Sequence, residues 1–296
     1  MRYDIAGVGP ALVDYIYSID EYPERGGHAV VKGSIRMPGG ACANVIAGLS
    51  GYGVRCRFYS TIGRDENAEF FIESMKNVDL KLNVTHELTG RVDVYVDRCG
   101  ERTFFVHPNS AGIVKLKIDD EDFGEVERFY LDPFPSERSF EVHLKIAKKA
   151  KEHGKRVILN PGYPYTKLGF EKLKELLKFT DIVIMSKQEF ECLSVEEDDF
   201  LKFVEVLVIT LGEKGSRALT KDGEFYHPSF KTEVVDTTGA GDAFAVGFLY
   251  GRMKGLPLEK CLKLGNFVAS YNVRHWGARN FPPKSEVDRL IDLDDL

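Results

Sequence analysis

Residues 236–244 read DTTGAGDAF and run directly into AVGFLYGRM, an apolar stretch rich in small residues that predicts a helix over residues 240–253. That helix opens on Gly239 and Gly241 and carries Asp242 in its first turn. Each glycine costs up to ~1 kcal/mol relative to alanine inside a helix. Capping by Thr238, with Asp242 set against the positive end of the helix dipole, accounts for the acid but not for the glycines. The other reading is that Gly239, Ala240 and Gly241 leave the backbone bare, so that their N–H groups can approach an anion, as at phosphate-binding helix starts. Choosing between the two requires the rest of the chain.

Upstream, RFYLDPF, KRVILNPG, DIVIMS and EVLVITLG are short apolar runs suited to strands buried on both faces. They alternate with helical patterns over residues 137–153 and 170–179, which argues for a doubly wound, mostly parallel α/β sheet. A first strand, YDIAGVG, ends near Gly9, a late hairpin pairs residues 217–220 with 224–227, and a last long helix covers residues 258–273. The early segments differ. HAVVKGSIR from His28, residues 91–97 and residues 102–107 alternate with period two, and RCGE joins the last two as a hairpin. They predict a small antiparallel β lid made of residues 10–37 and 89–111, over a core made of residues 1–9, 38–88 and 112–296. The parallel strands end on Gly9-Pro10, Asn160-Pro161-Gly162, Ser186 and Thr210-Leu211-Gly212. Ligands of open α/β sheets bind at such carboxyl ends.

Composition narrows the function. A net charge of −6 and a pI near 5.7 argue against nucleic acid as a main partner. No apolar run is long enough to cross a membrane, and the first residues read as a strand, so a cytoplasmic location is expected. Five cysteines, an odd number without a C-x-x-C pair, fit reduced thiols and no structural zinc. GVGPAL at Gly7 starts like a dinucleotide fingerprint but has Leu12 where a third glycine belongs, and no Walker phosphate loop occurs. DFG at Asp122 lacks the other protein-kinase segments.

MPGGACANVIAGLSGYG, from Met37, supplies a second glycine-rich helix start, with Gly39 and Gly40 preceding Asn44. A turn followed by a tightly packed helix explains the glycines and leaves Asn44 without a reason. DTTGAGDAF resembles the C-terminal signature of the ribokinase/PfkB family of carbohydrate and nucleoside kinases, and GGACAN resembles its N-terminal one. Asp14 in ALVDYI, TLGEKGS from Thr210 and HWGARNFP from His275 are similar, in order, to further family segments. The resemblance implies a ribokinase-like fold, ATP as donor, Mg2+ and a monovalent cation such as K+. It implies that Glu189 serves magnesium through water, and that Asp236, the Thr238 carbonyl and the loop near Gly277 hold the monovalent cation. One departure stands out: Ser186 in SKQE takes the place of the family's usual asparagine, while Glu189 is retained and reads equally as a helix N-terminal charge.

Phosphoryl transfer asks a protein for position and charge neutralisation. An attacking alcohol needs a proton acceptor, which assigns Asp242 as base and Gly239, Ala240 and Gly241 as the anion hole. Thr210, the Gly212 turn, Gly215 and Asn266 are expected on the nucleotide side, although Thr210 and Gly215 also suit turn chemistry. Asp14 and Asn44, beside Gly39 and Gly40, suit adjacent hydroxyls of a small polyhydroxylated substrate, with Arg102, Phe105 and His107 as lid residues above it. The expected function is an ATP-dependent sugar kinase, with a nucleoside kinase and a non-catalytic sugar- or nucleotide-binding protein as alternatives. An exposed lid face offers a surface for a homodimer.

Overall fold

The apolar runs become two sheets in the computed structural model, which describes residues 2–292. The strands are β1 (Ile5–Val8), β2 (Leu12–Ser18), β3 (Gly33–Gly39), β4 (Cys56–Ile62), β5 (Val78–Val84), β6 (Gly90–Val96) and β7 (Arg102–His107). There follow β8 (Arg128–Leu131), β9 (Arg156–Leu159), β10 (Ile182–Ser186), β11 (Val206–Thr210), β12 (Ser216–Thr220) and β13 (Gly223–His227). The large sheet has the order β13-β12-β11-β10-β9-β8-β1-β4-β5. It is parallel from β5 to β11, and the late hairpin β12–β13 adds its antiparallel edge. Strand order reverses at β1, so the carboxyl ends of β1 and β8 open a crevice at the switch point.

Alternate residues of these strands feed two buried layers. Ile5, Phe58 and Val208 face the helices Ala41–Gly51, Ala240–Met253 and Leu258–Asn272. Val8, Tyr59 and Leu207 face Ser139–Glu152 and Phe170–Leu177 on the other side. The small residues of AVGFLYGRM have a packing cause: a Cβ on Gly247 would lie 2.4 Å from the Leu264 carbonyl oxygen, so only glycine lets the two C-terminal helices approach this closely.

The lid is the four-stranded sheet β3-β2-β6-β7. It is mixed and not antiparallel as expected, because β2 and β6 run parallel. Between them the chain leaves the lid to build β4 and β5 in the core and returns in the same direction. Residues 28–32 carry no strand, and β3 begins only at Gly33. Register settles the lid's two faces. Asp14 shares its face with Ile16, Val92, Val94 and Phe104, since Asp14 pairs with Val92 and Val94 pairs with Phe104. Tyr17, Tyr95 and Phe105 occupy the opposite face, with ring centroids 5.0 Å apart for Tyr17–Tyr95 and 5.8 Å for Tyr95–Phe105. No helix among the described residues is long and apolar enough to cross a membrane.

Candidate active site

Gly239 caps the helix Ala240–Met253 at φ 68°, and a Cβ there would lie 2.3 Å from the Ala278 Cβ, so backbone and packing both demand glycine. Gly241 has an ordinary φ, and a Cβ on it would meet open space; here glycine leaves the wall of a cavity as bare backbone. The Ala240 N–H donates to the Thr237 carbonyl at 3.2 Å. Of the three expected amides, then, those of Gly239 and Gly241 have no acceptor among the described residues, and the Asp242 N–H joins them in place of Ala240. The loop is held by Asp236. Its Oδ1 accepts from the Thr238 N–H at 2.9 Å and the Thr238 hydroxyl at 2.7 Å, and its Oδ2 accepts from the Gly277 N–H at 2.8 Å.

Asp242 meets the other glycine-rich helix start. Gly40, at φ 92°, caps the helix Ala41–Gly51, which carries Asn44. Asn44 Nδ2 donates to Asp242 Oδ2 at 2.8 Å, across 198 residues of chain. The Asn44 Oδ1 accepts from Arg279 Nε at 2.7 Å, and Arg279 Nη1 donates to the Ser74 hydroxyl at 2.9 Å. Asp14 completes the group from β2, packed against Gly39, where a Cβ would lie 2.3 Å from its carboxylate.

These carboxyls are held unusually basic. Desolvation raises Asp242, opposed by the Asn44 hydrogen bond and by Arg279. Burial pushes Asp14 up to about 7, Arg279 counteracts it, and Asp242 adds to it. Burial also lowers Arg279, to about 10, with the two carboxylates pulling the other way. Asp132, next after β8, is raised well above its ordinary value by burial and then by Asp242 and Glu189. Asp132, Glu189 and Asp242 therefore repel one another at the switch point, and a carboxyl whose proton affinity is raised suits a general base. Asp132 escaped the sequence reading although it ends a parallel strand just as Ser186 does. Arg279 and Asn272 were missed as well; only their setting in or near HWGARNFP marked them.

The residues expected on the nucleotide side, Thr210, Gly212, Gly215 and Asn266, line a cavity of about 730 Å3 together with Phe244, Ala240 and Gly241. The Asn266 amide donates to the His227 and Pro228 carbonyls at 2.9 and 3.2 Å, so this side chain braces the cavity wall. A Cβ on Gly215 would lie 2.2 Å from the His227 carbonyl oxygen, which gives this glycine a structural cause. Ser186 and Glu189 form a reciprocal capping box: the Ser186 N–H donates to Glu189 Oε2 at 2.7 Å and the Glu189 N–H to the Ser186 hydroxyl at 3.2 Å. The helix-charge reading of Glu189 is thus realised. Its charge nonetheless reaches Asp132 and Asp242.

Two expected ligands fare differently. No group of three or more His, Cys, Asp or Glu side chains among the described residues is arranged to cage a metal. The crowded Asp132–Glu189–Asp242 charges do suit an Mg2+ that keeps most of its ligands as water and phosphate. Asp236, Thr238 and Gly277 come together as expected for a monovalent cation, yet their oxygens are already engaged. Arg102 of β7 reaches Asp236 Oδ1 at 3.1 Å, donates to the Thr237 hydroxyl at 2.5 Å and contacts the Thr238 hydroxyl, while Asn272 Nδ2 donates to the Thr238 carbonyl at 2.8 Å. These residues do not fit a bare K+. Phe105 is also misplaced by the sequence reading: it lies on the lid face away from Asp14, as does His107, which pairs with Asp93 at 3.0 Å.

Residues 6–285 match the pfkB family of carbohydrate kinases, and the chain belongs to that family. It is a phosphotransferase with an alcohol acceptor and an ATP-binding protein. Among its relatives, a nucleoside kinase of Methanocaldococcus jannaschii is 31% identical over 300 residues, covering 97% of this chain and 96% of the relative. That enzyme's crystal structure superposes with a TM-score of 0.83 at 28% identity, over 98% of both chains. A ribokinase of Thermotoga maritima gives a TM-score of 0.86 at 25% identity, covering 98% of this chain and 99% of the other. An uncharacterised sugar kinase of Archaeoglobus fulgidus is 31% identical over 248 residues, covering 80% of this chain and 99% of the relative.

Proposed function

We propose that the protein phosphorylates a ribose hydroxyl of a nucleoside, with Asp242 as general base. The observation carrying this is the Asp242–Asn44 hydrogen bond beside the unpaired Gly241 and Asp242 amides, under a lid face that is apolar around Asp14. Asp14 and Asn44 supply an acceptor and a mixed donor and acceptor for ribose hydroxyls. Ile16, Val92, Val94 and Phe104 form a wall that suits the face of a planar base. A free sugar, the first reading of the sequence, would leave that wall against a polar ligand.

In the reaction, the acceptor oxygen attacks the γ-phosphorus, the bond to the β–γ bridging oxygen breaks, and ADP departs. Asp242 takes the hydroxyl proton, aided by a raised proton affinity. The free amides at the start of Ala240–Met253 stabilise charge on the transferring group. Mg2+, when bound with the nucleotide, neutralises phosphate charge, and Glu189, Ser186 and Asn160 are the residues we assign to reach it through water. Phe244 and Val273 line the nucleotide cavity and suit the adenine ring. The lid excludes water during transfer. Ile35 and Val106 remain half exposed on the lid, and we assign them to a second copy of the chain. The buried free thiols Cys42, Cys56 and Cys261 suit a reducing cytoplasm.

The test is phosphoryl transfer from Mg-ATP to a panel of adenosine, guanosine, inosine, cytidine, ribose and fructose. The proposal predicts a higher kcat/KM for a nucleoside than for either free sugar. Preference for a sugar contradicts it.

A further inference from the structure

The Asp236 carboxylate is 4% exposed, yet every described group that pairs with it, except one, is neutral. The exception is the Arg102 guanidinium, which comes from the lid, more than 130 residues away in sequence, and is itself 19% exposed. Three contacts fix it: Asp236 Oδ1, the Thr237 hydroxyl and the Thr238 hydroxyl. Asp236 Oδ1 then accepts two hydrogen bonds, both from Thr238, with the guanidinium 3.1 Å away as its ion-pair partner, and Oδ2 accepts from the Gly277 amide. The Thr238 carbonyl is taken by Asn272, whose own Oδ1 accepts from the Asn280 N–H at 3.1 Å. A monovalent cation would therefore have to compete with the Arg102 guanidinium for Asp236, while the Thr238 carbonyl keeps one lone pair beside its Asn272 hydrogen bond.

We propose that Arg102 supplies, from the lid, the positive charge that a monovalent cation would otherwise supply beside the anion hole, so that phosphoryl transfer by this chain is independent of K+. Arg102 is a positioning residue: it braces residues 236–238, and through them the Gly239 and Gly241 amides that follow. A planar guanidinium is suited to this because its fixed fork can face a carboxylate and two hydroxyls at once. The arrangement has a functional consequence that an ion would not bring. Arg102 reaches Asp236 only while β7 lies over the site, so the loop is braced when the lid is closed and released when it opens. Lid closure over the acceptor and completion of the anion hole become one event.

This inference rests on the kinase reading, and one of its two tests does not need turnover. In the first, crystals of the wild type and of Arg102→Ala are soaked in Tl+, a heavy stand-in for K+. The expected result is no thallium at Asp236 in the wild type and a bound ion between Asp236 and the Thr238 carbonyl in the variant; thallium at Asp236 in the wild type overturns the proposal. In the second, kcat/KM is measured with K+ replaced by tetramethylammonium. Wild-type activity should change by less than about twofold, whereas Arg102→Ala should lose about tenfold or more, as expected for a displaced charged donor beside an anion hole. Added K+ or guanidinium should restore the variant, and Arg102→Lys should retain part of the activity. Wild-type activity that collapses without K+, or an alanine variant as active as wild type in tetramethylammonium, overturns the proposal. A wild type that transfers phosphate to no acceptor would instead count against the kinase reading, and the thallium result would still decide the role of Arg102.

Discussion

Replacing Arg279 with methionine would keep most of the side-chain stem and remove the guanidinium. A guanidinium can only donate, so its Nε at 2.7 Å fixes the Asn44 oxygen toward itself. The Asn44 NH2 is thereby left facing Asp242 at 2.8 Å, the orientation in which it stabilises the ionised base. Without Arg279 the amide can turn, and turning sets an oxygen against the carboxylate. Losing one hydrogen bond to a charged group costs about 1.5–3 kcal/mol, a fall of about 10- to 100-fold in kcat/KM. Arg279 also lowers the Asp242 proton affinity, against desolvation. Its removal leaves desolvation opposed by the Asn44 hydrogen bond alone, and because the base must be ionised to work, the acid limb of the pH profile should move to higher pH. The Ser74 hydroxyl and carbonyl lose a donor too, so thermal melting should accompany the kinetics. Arg279→Lys, which keeps the charge and loses the fork, should restore the acid limb better than it restores kcat/KM. A methionine variant with kcat/KM within about threefold of wild type and an unmoved acid limb would refute the orienting role of Arg279.

Asp14 predicts a pH signature in stability. Its folded pKa of about 7 exceeds the ordinary 3.8, so the folded chain binds this proton more tightly than the unfolded one. Its stabilising contribution is full below about pH 4 and is lost as pH rises through about 7. Denaturant melts should show wild-type stability falling across that window relative to Asp14→Asn, and parallel pH dependences of the two would refute the shift. The lid register predicts that Phe104→Ser raises the acceptor KM about 10- to 100-fold, for loss of an aromatic contact worth about 1.5–3 kcal/mol, whereas Phe105→Ser leaves it unchanged. The reverse pattern would show that the acceptor meets the other lid face.

Local signals made much of this legible. Residues 240–253 read as a helix because their apolar and small residues are continuous and bounded by glycine, and the helix is Ala240–Met253. The pattern over 137–153 gave Ser139–Glu152, differing only in the frayed ends. What depends on non-local pairing was hidden. The parallel β2–β6 contact joins segments separated by two core strands, and the lid therefore looked antiparallel. Phe105 and Phe104 are adjacent in sequence, and only the pairing of Val94 with Phe104 tells which one shares a face with Asp14. Arg279 carries no motif of its own, because its role exists only where Asn44 and Asp242 meet. Asp132 needed the strand order that puts β8 beside β1.

The most direct test of the account is turnover by Asp242→Asn with the preferred acceptor, Mg-ATP and melting measured on the same preparation. An asparagine can still accept from Asn44, and it removes one of three mutually repelling carboxylates. Asp242→Asn should lower kcat by about 10²- to 10⁴-fold with the melting temperature unchanged or raised. A variant that folds as well as wild type and keeps kcat within about tenfold of it would contradict the assignment of Asp242 as the base.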